Sequence, residues 1–147
     1  MIVKQHIKLD HIGWITNDVK AFESFWVDIL GFEKIWESTL SKELAHTLFG
    51  VDYGALCRRY KKGDLVIEVH KFDTVNLNSD SHFVKYGINH IALHVENRNE
   101  LIQTISDYSN KTGKVVPVKI YHNPSGWDNM FIKDFENNWI ELRETFK

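Results

Sequence analysis

The stretch GINHIALHV, residues 87–95, decides how the rest of the chain is read. It is short, apolar and bounded by polar chain, so it reads as a strand, whose side chains alternate between two faces. His90, Ala92 and His94 then share one face, and Ile91, Leu93 and Val95 the other. Nearly the same words stand much earlier, as LDHIGWI at residues 9–15, with His11 in the place of His90. Each of these strands is answered later by an echo of its own, VIEV at 66–69 and WIEL at 139–142, which puts Glu68 and Glu141 in matching places. One histidine and one glutamate, each presented twice on strands, is a metal-site composition built by duplication.

Outward from these strands, the first half reads β-α-β-β-β. Residues 8–15 open it, and Asn17-Asp18 supplies a helix start: a capping side chain, then an acid suited to the positive helix end. Val19, Phe22, Trp26 and Leu30 recur at helical spacing, with Phe25 and Ile29 beside them, and Gly31 stops the helix. This aromatic stripe reads as core. Residues 32–36 are a short strand, and 41–49 have room for a turn or two of helix. Residues 55–60 and 65–72 pair across Lys61-Lys62-Gly63-Asp64, a hairpin connection. The polar segment 73–86 is a linker.

The second half repeats the order. After its histidine strand, Asn97-x-x-Glu100 resembles a capping box, Leu101, Ile105 and Tyr108 carry an apolar face, and Thr112-Gly113 closes the helix. Residues 115–121 form a strand that Pro117 marks as an edge, 122–128 a loop, and 130–133 and 139–145 a last hairpin across 134–138. The expected fold is α+β: one domain over 1–147, with tandem βαβββ modules at about 7–72 and 87–147 forming a curved mixed sheet.

A chain of 147 residues that is 43% hydrophobic can bury one good core, or two small modules sharing one. A formal net charge of −2 argues against nucleic acid or an anionic membrane surface as partner. The one cysteine, Cys57, excludes an internal disulfide framework and reads as a packed strand residue. The opening residues hold no apolar run of signal-peptide length, and no stretch approaches a membrane span. A cytoplasmic protein, acting on a small molecule as a homodimer, is the expectation.

A divalent ion needs ligands converging from several directions, and strands hold them firmly. His11, Glu68, His90 and Glu141 offer two nitrogens and two carboxylates, a set that suits Zn, Ni, Co, Mn or Fe(II) rather than a thiolate-seeking metal. Four such ligands leave an octahedral ion two open positions for a substrate's oxygens. Glu141 or Glu68, loosened from the ion, would serve as a general base beside an acidified carbon–hydrogen bond. A buried Glu flanked by Ile and Val or Leu otherwise lacks an explanation. His70, Arg143 and His94 lie on the same faces and are read as contacts at the rim or with substrate; Trp127 reads as a loop anchor.

DHIGWI, FWVDILGFE, LVIEV, GINHIALHV and DFENNWIELRE together resemble the vicinal oxygen chelate superfamily, over nearly the whole length. Its members include glyoxalase I, methylmalonyl-CoA epimerase, extradiol dioxygenases, and fosfomycin and bleomycin resistance proteins. The last stretch is similar to the family's Asp-x-x-Gly-x-x-Ile-Glu-Leu signature, with Asn137 in place of the usual Gly. On that resemblance His11, Glu68, His90 and Glu141 fall on the four ligand positions. The dioxygenases and fosfomycin enzymes use two His and one Glu, and the epimerase usually has Gln where Glu68 stands. The full set therefore looks most like bacterial glyoxalase I, a metal-dependent lyase or isomerase that enolises its substrate. An acyl-CoA epimerase and a sequestering resistance protein are the alternatives. Glutathione-using members carry an Arg four residues past the first ligand, where this chain has Ile15.

Overall fold

The computed structural model describes residues 9–74, 90–122 and 128–144. Most of the linker, the start of the second histidine strand and the loop holding Trp127 lie outside the described residues. The elements run β1 (Ile12–Ile15), α1 (Val19–Trp26), β2 (Glu33–Leu40), α2 (Lys42–Phe49), β3 (Ala55–Lys62), β4 (Leu65–Phe72), β5 (His90–Val95), α3 (Arg98–Thr112), β6 (Val118–His122), β7 (Asp128–Lys133) and β8 (Trp139–Glu144). None of these helices is long and apolar enough to cross a membrane.

The strands form two four-stranded mixed sheets, in orders β1-β4-β3-β2 and β5-β8-β7-β6. In each, the opening strand runs parallel to the closing one, and every other neighbour is antiparallel. The fold is thus α+β, with the tandem βαβββ order expected from the repeat. Local chemistry explains the connections. Gly63 takes φ +58°, which a side chain would resist, and turns β3 into β4 in two residues. Strand β2 reaches Leu40 rather than residue 36, because it pairs with β3 along its length, past an irregularity at Ile35.

Two compact units result. One holds β1, β2, α2, β3 and β4; the other holds residues 20–30 with β5, α3, β6, β7 and β8. In the first, Tyr60, Ile67 and Val69 are buried on one face. At one end of the opposite face, α2 covers Ala55, Cys57 and Phe72 through Ala45, with Leu40 and Val51 packed alongside. Ser41 caps α2 by accepting from the Leu44 amide, and Gly50 ends it at φ +68°. Cys57 is buried as expected, and burial pushes its thiol pKa up.

In the second unit, Met130, Ile132, Ile140 and Leu142 are buried with Ile105 of α3 and Phe22, Phe25 and Trp26 of α1. Asn97 caps α3 by accepting from the Glu100 amide at 3.1 Å, and Gly113 closes it. The β7–β8 turn is organised by Asp134, 4% exposed, which accepts from the amides of Glu136 and Asn138 and from Asn138 Nδ2. Asn137 sits in that turn at φ +68°, a conformation Asn adopts more readily than other non-glycine residues. Phe135, beside it, meets Phe25 of α1 edge-on at 6.1 Å and Tyr108 of α3 at 6.1 Å.

Candidate metal centre

In the first sheet Gly13 pairs with Glu68 across the parallel β1–β4 contact. In the second, Ala92 pairs with Glu141 across β5–β8. In both, the residue two past the histidine is the register partner of the glutamate, so histidine and glutamate leave the same face as near neighbours. His11 Nε2 stands 3.8 Å from Glu68 Oε1, and His90 Nε2 stands 3.5 Å from Glu141 Oε2. The carboxylates are mostly covered, at 17% and 12% exposure.

His11 also bonds Asp10 Oδ2 through Nδ1 at 2.6 Å. A carboxylate on Nδ1 fixes that nitrogen as an N–H and leaves Nε2 as the ring nitrogen that faces Glu68. The same contact holds the Asp10 carboxyl below its ordinary range. Sequence reasoning passed over Asp10, although it directly precedes His11. His70 adds a third group: its Nε2 lies 3.4 Å from Glu68 Oε1. Burial lowers its pKa, against the pull of Glu68, and favours the neutral ring.

Among the described residues, Glu68 has a further partner that Glu141 does not. Arg59, its register mate on β3, donates from Nε to Glu68 Oε2 at 2.5 Å. The corresponding mate of Glu141 on β7 is Phe131, whose ring meets His90 edge-on at 5.6 Å. Among the other residues weighed from sequence, His94 and Arg143 are exposed register partners farther along the second sheet. His122 closes β6 and is exposed. Ile15 is 56% exposed and pairs with His70.

Donor atoms in adjacent positions around an ion at about 2.1 Å are roughly 3 Å apart. Each His–Glu pair therefore fits two neighbouring coordination positions after a small side-chain adjustment. The pairs belong to different units. Among the described residues, no three His, Cys, Asp or Glu side chains are grouped as a ready metal cage.

The chain belongs to the glyoxalase/bleomycin resistance protein/dioxygenase superfamily, whose sequence profile matches residues 10–131. No curated protein gives a significant match. Among solved structures, a glyoxalase family protein from Bacillus cereus is similar at 15% identity and TM-score 0.79, covering 100% of this chain and 99% of that one. The trypanothione-dependent glyoxalase I of Leishmania major is similar at 19% identity and TM-score 0.65, over 95% and 87% of the chains. A mutant of the fosfomycin resistance protein FosX from Listeria monocytogenes, complexed with Mn(II) and 1S,2S-dihydroxypropylphosphonic acid, is similar at 21% identity and TM-score 0.58, over 95% and 93%. At such identities the likenesses carry the fold, not the activity.

Proposed function

We propose that this protein is a metal-dependent lyase or isomerase of the glyoxalase I type, with His11, Glu68, His90 and Glu141 as ligands to one divalent ion. The observation that carries the reading is the His–Glu pair, repeated in two sheets with the same register. A bound ion would supply Lewis acidity, polarising the neighbouring oxygens of a substrate and acidifying the carbon–hydrogen bond between them. Glu141 takes that proton and returns it to the adjacent carbon. The choice between the two glutamates follows from their neighbours. Arg59 occupies one oxygen of Glu68, so that oxygen is not open to a substrate proton. Among the described residues Glu141, beside Phe131, carries no such cation.

Gln keeps an oxygen ligand and removes the base. Glu141→Gln is expected to lower turnover by about 10² or more while bound metal falls much less. Glu68→Gln should cost metal affinity more than turnover of the loaded enzyme. The assays are conversion of a ketoaldehyde–thiol adduct and entry of solvent deuterium into an acyl-thioester. Turnover of the first alone supports the glyoxalase reading; exchange in the second alone would replace it with an epimerase. Metal-loaded protein silent in both would sink the enzyme reading.

A further inference from the structure

Trp36, Arg59, Glu68 and Gly13 form one row across all four strands of the first sheet, each the register partner of the next. Register partners share a face, so the row sets an aromatic ring, a cation, a carboxylate and a gap side by side. The gap is real: a Cβ at Gly13 would meet nothing within 4 Å. Arg59 is held at two points, by Glu68 Oε2 at its Nε and by Trp36, whose ring centroid lies 5.5 Å from the guanidinium carbon. Among the described residues Glu68 is its sole hydrogen-bond and ion-pair partner, yet the side chain stays 40% exposed.

A guanidinium offers five N–H donors in a fixed fork, and one carboxylate uses at most two. Stacking on Trp36 fixes the plane of the fork without covering it. If Glu68 shares its charge with an ion, the positive charge of Arg59 is no longer matched by its neighbour. The other carboxylate whose field reaches Arg59, Asp10, is already bonded to His11. In the second sheet the matching row is Lys119, Phe131, Glu141 and Ala92, so the register neighbour of the glutamate is a cation in the first half and an aromatic ring in the second.

We propose that Arg59 anchors an anionic oxygen-acid group of the substrate: a carboxylate, phosphate or phosphonate standing a few bonds beyond the oxygens that meet the ion. This rests on the metal reading above and names its substrate class, small hydroxy- or oxo-compounds bearing a second, negatively charged arm. Arg59 sets specificity, and it takes no part in moving the proton.

Two probes separate the anchor from the ion. Lactate presents a hydroxyl and a carboxylate as adjacent oxygens; malate presents the same pair with one further carboxylate. By calorimetry on zinc-loaded protein, malate is expected to bind about tenfold more tightly than lactate, the scale of one charge-assisted fork contact. Arg59→Gln, compared with wild type at saturating zinc, should erase that preference with lactate affinity little changed. Arg59→Lys, which keeps the charge without the fork, should retain part of it. Equal affinities in the wild type, or a preference that survives in Arg59→Gln, would overturn the anchor. Zinc lost from Arg59→Gln but kept by the wild type would also overturn it, leaving Arg59 a positioning residue for Glu68. Failure of the wild type to hold zinc removes the metal reading itself, an outcome visible before either probe is added.

Discussion

At the scale of single residues, the turn between β7 and β8 shows how much one side chain can organise. Asp134 accepts three hydrogen bonds while almost wholly buried. Replacing it with Ala strands those donors away from water, at a cost of about 2 kcal/mol, readable in urea unfolding. Burial pushes the Asp134 carboxyl pKa up, and the bonds from Asn138 and Glu136 pull it down without prevailing. The sign follows. A folded value above the unfolded one stabilises fully at pH below the unfolded value, and the contribution disappears as pH rises through the folded value. Wild-type protein should therefore gain stability relative to Asp134→Asn as pH falls through the acid range; a constant difference in melting temperature across that range would refute this. The same turn shows what was legible in sequence. Asn137 stands where the family pattern has Gly, and its positive φ explains both the usual residue and the substitute. Arg59 was legible in principle: counting back from Gly63-Asp64 pairs 62 with 65 and reaches 59 with 68. Its contact with Glu68, however, depends on side-chain conformation, which no register specifies.

At the scale of elements, strands and the cap of α3 were the readable part, because alternation and capping chemistry are local. The Asn17-Asp18 start expected for α1 is replaced by Thr16, whose hydroxyl accepts from the Asp18 amide. The β3–β4 hairpin, the Asn97 cap and the edge position of β6 after Pro117 all follow from a few adjacent residues. Helix α2 was harder, since its exposed Leu44 and Leu48 blur the apolar stripe and, among its described side chains, only Ala45 is buried. The partner of α1 was not readable at all. Its stripe of Phe22, Phe25 and Trp26 announces a buried face, but periodicity is silent about what covers it. By sequence α1 follows β1, yet residues 20–30 group with the second sheet. Phe135 is the element-scale reason. Its ring touches α1 through Phe25 and α3 through Tyr108, and Lys114 Nζ lies 5.3 Å from its centroid. Phe135→Ala should destabilise the fold by about 2–3 kcal/mol, less than a fully buried Phe because the ring is partly exposed. Near-ultraviolet circular dichroism should lose aromatic signal with it. A variant as stable as wild type would mean that α1 is held by its other aromatic residues alone.

At the scale of the whole molecule, the two sheets carry His–Glu pairs of the same register in unequal surroundings: a cation and a second histidine beside Glu68, an aromatic ring beside Glu141. Sequence repetition could announce the equal part, because it is written in matching words, but not the unequal part, which arises from residues the repeats do not share. A single ion held by both halves makes a prediction that two independent weak sites do not. His11→Ala and His90→Ala should each remove nearly all bound metal, rather than half, when equilibrium-dialysed protein is analysed for zinc. Thermal unfolding should report the same event. Metal at a hundredfold excess over its dissociation constant adds about 2.7 kcal/mol to the wild type, and both variants should forfeit that gain. Loss of half the metal from each variant would show two separate sites and dissolve the shared-ion reading. Mixing the two variants under conditions that exchange subunits carries the test to the assembly. Halves contributed by two chains would restore part of the bound zinc, because one intact His11 half then meets one intact His90 half. Halves contributed by one chain would leave the mixture as poor in zinc as either variant alone.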